Sequence, residues 1–424
     1  MQFNPTPVRG ALRLRACYKL TMSSTHDVIE RVKRFGSTNY APFDVVIARG
    51  DGAHVWDPEG RAYLDLLGGY SALNHGHRHP RIMKVAHAQL DTVSVVARAF
   101  LNEPIADLME RLCGLTGLDR VMPMNSGAEA VESAIKIVRA WGYRVRGVPA
   151  GRAHILACEN NFHGRTTTIV GFSSEANYRD PFAPATPGFS LVPFGDADAF
   201  ERAITPDTVA FLAENLQGEG GIVVPPDGWM RRVREICSRR NVALIWDEVQ
   251  TGLGRTGRMF RWEYEDARPD VLVLGKALGG GVMPVSACVG TREVMDAVHP
   301  GEHGSTFGGS PLAMAIANEA LAVLVEERLP ERAAELGPRA MQRLRAAGLP
   351  AVRDVRGQGL LIGIELDPGF GGAHRLCEAL ARNGVLTKET RKHVLRLAPP
   401  LVITEDDLSR GIDVTLATIR ALTP

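Results

Sequence analysis

Between about residues 105 and 300, short apolar runs alternate with amphipathic stretches of helical period, and this alternation restricts the fold more than any other property of the chain. Ala153 to Cys158, Val209 to Ala213, Val242 to Trp246 and Val271 to Leu274 read as strands, and helices are predicted over 127–142 and 228–240. Parallel neighbours need a crossover connection, and the crossover helix covers a face of the sheet. Alternation of this kind therefore predicts an α/β fold with a mostly parallel sheet covered on both sides. Ligands of such sheets gather beyond the C-terminal ends of the strands, so the residues just past each apolar run are the candidates for function.

Lys276 follows the run Asp270-Val271-Leu272-Val273-Leu274-Gly275 and precedes Ala277-Leu278-Gly279-Gly280-Gly281, which puts a primary amine off the end of a buried strand. Of the 49 lysines and arginines only seven are lysine, so an amine in this apolar setting stands out. A desolvated lysine sheds its proton easily and becomes a nucleophile toward an aldehyde. Asp247 closes the run from Val242 to Trp246. Alone, an aspartate there caps a turn as readily as it does chemistry. Beside a Schiff-base lysine it is what pyridoxal phosphate requires, because a carboxylate at the pyridine nitrogen keeps the ring protonated and an electron sink.

Met124-Asn125-Ser126-Gly127-Ala128-Glu129-Ala130 comes just before a helix with Val131, Ile135, Val138 and Trp141 on its apolar side. Small residues at a helix start expose backbone N–H groups and the positive end of the dipole, which suits a phosphate. Arg165, after the strand ending near Cys158, offers a planar fork that matches a carboxylate.

Two other patterns imitate known sites. Gly252-Leu253-Gly254-Arg255-Thr256-Gly257 has dinucleotide-binding spacing, but Arg258 to Tyr264 carries no helix start signal. Asn74-His75-Gly76-His77-Arg78-His79-Pro80 gathers three histidines, yet its Gly and Pro mark a turn, and no acid or cysteine joins at ligand spacing. A formal charge of +1 gives no reason to expect nucleic acid or an anionic membrane as partner. No apolar stretch approaches the roughly 20 residues that span a bilayer. Cys17, Cys113, Cys158, Cys237, Cys288 and Cys377 are scattered without a C-x-x-C pair, the usage expected of reduced thiols in a cytoplasmic protein.

Residues 1–22, with Arg9, Arg13, Arg15 and Lys19 and no acid, read as a disordered or mis-assigned tail. Residues 23–70 are expected to pack with a smaller domain; they show a helix from His26 to Arg34, strand-like pieces over Val45–Ala48 and His54–Trp56, and a hairpin turn at Asp57–Gly60 before Ala62–Leu67. Residues 71–310 form the large cofactor-binding domain on this reading. In 311–424, helices over 311–328 and 331–346 lead into a smaller α+β unit with a strand at Gly359–Glu365 and a last helix capped by Thr404 and Asp407.

In order along the chain stand Asn125-Ser126-Gly127-Ala128-Glu129-Ala130, Asn161-Phe162-His163-Gly164-Arg165-Thr166, Gln217-Gly218-Glu219-Gly220-Gly221, Asp247 to Gly257, Leu274 to Gly281 and His303 to Gly309. From about residue 36 to the C-terminus this series resembles the class III, pyridoxal-phosphate-dependent aminotransferases. Gly68 to Asn74, Arg139 to Tyr143, Pro300 to His303 and Leu395 to Ile403 are similar to the subgroup that acts on ornithine. The resemblance implies a fold-type I PLP-dependent transferase, with a mostly parallel central sheet and a smaller α+β C-terminal domain.

The same resemblance implies roles. Lys276 would carry the cofactor as a Schiff base and then serve as general acid and base; Asp247 would hold the pyridinium nitrogen. Phe162 and Val249 would flank the ring, Gln250 would approach its phenolic oxygen, and Gly127 and Ala128 would hold the phosphate. Thr306 would reach the phosphate bound by the other subunit of a homodimer. The implied substrates are L-ornithine and 2-oxoglutarate. Arg165 would take the α-carboxylate of ornithine, with Tyr40 near its α-amine and Tyr70 lining the pocket. The oxo acid would use Arg165 and Arg396, and Glu219 would cover Arg396 while ornithine is bound. Tyr40 and Tyr70 weigh against N-acetylornithine, 4-aminobutyrate or a lysine ω-amine as donor, the paired arginines weigh against an aminomutase, and intact Lys276 and Asp247 weigh against a scaffold without activity.

The chain departs from the family at two places. Asn215 stands where a proline usually follows Glu214, which predicts a looser backbone leading to Glu219. His163 stands where animal ornithine enzymes have Trp, a change expected to leave the cofactor roles untouched.

Overall fold

The computed structural model describes residues 23–423; the tail expected over 1–22 lies outside them. The first helix, Thr25–Phe35, covers the expected stretch and begins with a capping box between Ser24 and Asp27. Next, β1 (Arg49–Asp51), β2 (His54–Trp56) and β3 (Ala62–Asp65) form an antiparallel ladder, with the predicted turn at Asp57–Gly60. The strand expected over Val45–Ala48 does not form. That run is extended chain in which Ala48 N alone reaches the ladder, donating to Trp56 O at 2.8 Å; pairing starts at Arg49.

Seven strands make the central sheet: β4 (Arg120–Met124), β5 (His154–Cys158), β6 (Phe189–Val192), β7 (Thr208–Glu214), β8 (Ala243–Asp247), β9 (Val271–Leu274) and β10 (Ser286–Gly290). Their order is β4-β10-β9-β8-β7-β5-β6. The run from β9 to β6 is parallel throughout, and β10 is antiparallel to both its neighbours. The four strands read from the sequence are all present. The other three carry weak signals: β4 includes Pro123, β6 has four residues, and β10 consists largely of small ones.

Alternation along each strand divides the core. Leu244, Trp246, Leu272 and Leu274 face one helix layer, which includes Met230, Val233 and Ile236 of the helix Trp229–Arg240. Ala243, Ile245, Val271 and Val273 face the other, where Val131, Ile135, Val138 and Trp141 of the helix Gly127–Arg144 pack. Burying each large aliphatic side chain is worth roughly 1.5–3 kcal/mol, so the two layers hold the strand ends at fixed positions.

In the C-terminal part lie β11 (Val352–Gln358), β12 (Leu361–Leu366), β13 (Val385–Leu386), β14 (Lys388–Arg391) and β15 (Val394–Leu397). Four of them form an antiparallel sheet in the order β11-β12-β15-β14, while β13 pairs in parallel with β3 and ties the N-terminal segment to this unit. The strand expected from Gly359 starts at Leu361, because Gly359 takes the turn, at φ +55°. Thr404 caps the last helix, Glu405–Leu422, accepting from Asp407 N at 3.1 Å. Among the described residues, no helix is long and apolar enough to cross a membrane, and the five described cysteines are free.

Candidate active site

Because β5, β7, β8 and β9 are parallel, the turns beyond them emerge on one edge of the sheet. There they meet the start of the helix Gly127–Arg144 around a cavity of about 240 Å³. Gly127, Ala128, Phe162, Asp247, Val249, Gln250 and Lys276, all singled out in the sequence, line it. A second cavity, of about 500 Å³, shares Gly127 and Lys276 with the first and continues past Ser126 and Val285. Lys276 thus borders both.

Lys276 has a left-handed backbone, φ +43°, unusual for a residue with a side chain and a common mark of functional positions. Burial pushes its ammonium below the ordinary lysine range, against the opposing pull of Asp247, Glu219 and Glu214. This is the condition for an amine that must be free of its proton to react.

Asp247 closes β8. Its Oδ1 accepts from Val249 N at 3.0 Å, and its Oδ2 lies 2.7 Å from His163 Nδ1. His163, expected to stand apart from the cofactor residues, is a direct partner of the central acid. Beside Asp247 in register, Glu214 ends β7. Its carboxylate accepts from Phe162 N at 3.0 Å and Gly218 N at 3.1 Å, and desolvation raises its pKa to about 7. Glu214 closes an apolar strand one place over from Asp247, a signal by which the sequence could have revealed it.

At the helix start, Ser126 Oγ accepts from Glu129 N at 3.2 Å, and the Glu129 carboxylate accepts from Asn125 N and Ser126 N, both at 2.9 Å. This capping box leaves the N–H groups of Gly127 and Ala128 without a hydrogen-bond partner among the described residues. A side chain at 127 would press on Val249, with its Cβ 2.9 Å from Val249 Cγ1, so glycine keeps the floor of the cavity open.

Arg396, on β15, is fully buried; its Nη1 donates to Glu219 Oε1, while its Nε and Nη2 have no partner among the described residues. Tyr70 lies over Arg396, whose guanidinium carbon is 4.9 Å from the ring centroid. Arg165 is exposed, and its guanidinium sits 4.1 Å from the ring centroid of Tyr178, a residue not singled out from the sequence. Tyr40, 75% exposed, and Thr306, also exposed, line neither cavity of the single chain.

Asn215 corrects a second expectation. Its side chain is fully buried, donating from Nδ2 to Glu248 Oε1 and accepting from Thr251 Oγ1 at 3.0 Å, so the missing proline is replaced by a bridge between the ends of β7 and β8. The two imitative patterns lock into each other. Arg255 Nη2 donates to Asn74 Oδ1 at 2.6 Å, Asn74 Nδ2 donates to Leu253 O at 2.8 Å, and the glycine run is followed by a single 3-10 turn, Arg261–Tyr264, where a dinucleotide site needs an α-helix. His75, His77 and His79 each hold a separate partner, Ala320 O, Asp65 and Glu327.

The architecture is that of the fold-type I pyridoxal-phosphate-dependent transferases. Ornithine aminotransferase from Toxoplasma gondii, solved with PLP at partial occupancy in its active site, matches 95% of this chain and 96% of its own, with a TM-score of 0.93 and 41% identity. Acetylornithine aminotransferase from Elizabethkingia anophelis matches 94% of this chain and all of its own, with a TM-score of 0.87 and 43% identity. A curated relative, ornithine aminotransferase from an Exiguobacterium species, is 50% identical over 398 residues, 94% of this chain and 98% of the relative. The Aminotransferase class-III profile matches residues 35–419, and the chain belongs to that family. It is a PLP-dependent transaminase.

Proposed function

We propose that the protein moves the δ-amino group of L-ornithine to 2-oxoglutarate, forming glutamate and glutamate 5-semialdehyde, which cyclises to pyrroline-5-carboxylate. The observation that carries this reading is the pairing of Arg396 with Glu219 in a site where Arg165 has no acid partner among the described residues. One covered and one open guanidinium suit a site that takes a substrate with one carboxylate and then a substrate with two. The similarity to ornithine aminotransferases along nearly the whole chain supports the same donor.

The residues around the cavity fit PLP: two helix-start N–H groups without partners among the described residues, a buried carboxylate and a desolvated lysine. When bound, the cofactor supplies an electron sink that loosens a proton on the carbon bearing the transferred amine. Gly127 and Ala128 would hold its phosphate, Asp247 its ring nitrogen and Gln250 its phenolic oxygen, and Phe162 and Val249 would flank its ring. Lys276 Nζ takes the proton from Cδ of ornithine in the first half-reaction and delivers one to C2 of the oxo acid in the second. Arg165 fixes a carboxylate in both. Tyr40 and Tyr70 hold the α-amine end of ornithine, and Glu219 keeps Arg396 from drawing in ordinary amino acids α-amine first.

We further place Thr306 on the phosphate of a partner subunit in a homodimer. Phe100, Leu101 and Phe307 are 67%, 90% and 55% exposed. Their segments are joined by Asn102 Nδ2 donating to Gly309 O at 3.2 Å, and Leu312 N to Ser94 O at 3.4 Å, an apolar face that a second copy would cover. Pairing of β3 with β13 supports assigning residues 23–70 to the small unit, 311–424. The free cysteines accord with a cytoplasmic location.

The test is the first half-reaction, followed by the absorbance of the bound cofactor. Holoenzyme is mixed with L-ornithine, N-acetylornithine or 4-aminobutyrate in the absence of oxo acid. Conversion by ornithine alone, reversed by 2-oxoglutarate, is the expected result. Conversion by N-acetylornithine instead would overturn the donor and favour the activity named for the Elizabethkingia relative.

A further inference from the structure

The two arginines of the proposed substrate site are held in opposite ways. Arg396 is buried and paired with Glu219. Arg165 has neither a carboxylate partner nor a side-chain hydrogen bond among the described residues. Its guanidinium carbon instead lies 4.1 Å from the ring centroid of Tyr178 and 5.8 Å from that of Phe162. The two rings meet edge to face, 6.3 Å apart at 77°. The fork therefore rests in a corner made of aromatic faces.

We propose that Tyr178 is a positioning residue that keeps Arg165 ready for a carboxylate, an inference resting on the reading of Arg165 as the carboxylate receptor. An aromatic face attracts a guanidinium without neutralising it, and touches its plane, not its N–H edge. The edge stays available for a bidentate carboxylate. An acid in the place of Tyr178 would have to be displaced at every binding event, as Glu219 must be at Arg396. That displacement suits an arginine needed in one half-reaction and hinders one needed in both.

The ring is anchored from two sides. Tyr178 N donates to Glu175 O at 3.0 Å, and the Glu175 carboxylate is paired with Arg391 of β14. Beyond the end of β5, Asn160 N donates to Ser174 Oγ at 2.7 Å. The Tyr178 hydroxyl has no hydrogen-bond partner among the described residues, so the contribution belongs to the ring, and phenylalanine should supply it.

The test compares holoenzymes carrying Tyr178→Phe, Tyr178→Leu and Arg165→Ala, with Tyr178→Met replacing the leucine variant if that one fails to fold. The readouts are the inhibition constant of glutarate, an unreactive dicarboxylate, and KM and kcat for ornithine and 2-oxoglutarate. Tyr178→Phe should match the wild type. Tyr178→Leu should raise the glutarate constant and both KM values on the order of tenfold while kcat at saturation holds. If Arg165→Ala weakens glutarate and Tyr178→Leu does not, or if Tyr178→Leu lowers kcat alone, the proposal is overturned. Unchanged glutarate binding in Arg165→Ala would overturn the reading of Arg165 itself, and this inference with it.

Discussion

His163 Nδ1 lies 2.7 Å from Asp247 Oδ2, with both side chains buried. The imidazole donates its Nδ1 proton, and with Val249 N on Oδ1 both carboxylate oxygens are engaged. Removing the donor while keeping the ring, as in His163→Phe, leaves Asp247 less constrained. A charge-assisted hydrogen bond of this kind is worth roughly 1.5–3 kcal/mol, so PLP retention and kcat should each fall by about ten- to a hundredfold. Dialysis against PLP-free buffer and steady-state rates measure both; unchanged values would reduce the contact to packing.

Lys276→Ala should abolish any link to the cofactor that borohydride can fix and lower turnover by roughly 10²–10⁴-fold through the lost proton transfer. Intact-mass measurement after reduction reads the first effect. A reduced adduct persisting in the variant would move the anchoring role to another amine.

Glu219→Ala uncovers Arg396, whose Nε and Nη2 already lack partners among the described residues. Ordinary amino acids should then react through their α-amines several-fold faster, while ornithine loses its advantage. A donor profile identical to that of the wild type sinks the gate.

Asn215→Ala strands Thr251 Oγ1, which donates to Asn215 Oδ1, and removes one donor from buried Glu248. Each buried group left unsatisfied costs about 1–3 kcal/mol. The melting temperature should drop in Asn215→Ala and also in Asn215→Pro, although proline is the usual family residue. A proline variant as stable as the wild type contradicts this account.

Glu248 is buried, and desolvation lifts its pKa from 4.5 to about 7 despite donation from Arg261 N, Trp262 N and the Asn215 amide. The folded chain then holds this proton more tightly than the unfolded one. That contribution to stability is complete below about 4.5 and is lost as pH rises through about 7. Glu248→Gln does not titrate, so the wild-type melting temperature should decline relative to the variant between about pH 5 and pH 8. A difference that stays flat over this range rejects the burial argument.

The central strands and the cavity residues are legible in the sequence for one reason: long apolar runs have few alternatives, and the residues just past the end of a parallel strand face the ligand. Lys276 and Asp247 are legible on that basis, Glu214 is open to the same logic, and Gly127 is legible as a small residue at a helix start. His163, Asn215 and Tyr178 are not, because their importance lies in partners 84, 33 and 13 residues away along the chain. Val45–Ala48 has the composition of a strand, but a strand also needs a neighbour, and composition does not provide one. Strands such as β4 and β6, with weak signals of their own, exist because they close the two edges of the sheet.

The reversed direction of β10 bears on how the site assembles. Asp247, Glu214 and Phe162 lie past strands that reach their parallel neighbours through long crossovers, whereas Lys276 occupies the connection between antiparallel β9 and β10, residues 275–285. Loop closure over so short a stretch has a small entropic cost, and contacts local in sequence form early in folding. The nucleophile is thereby carried by the hairpin of the sheet most able to form by itself, and the slower crossovers bring the acid and the ring-binding residues to it.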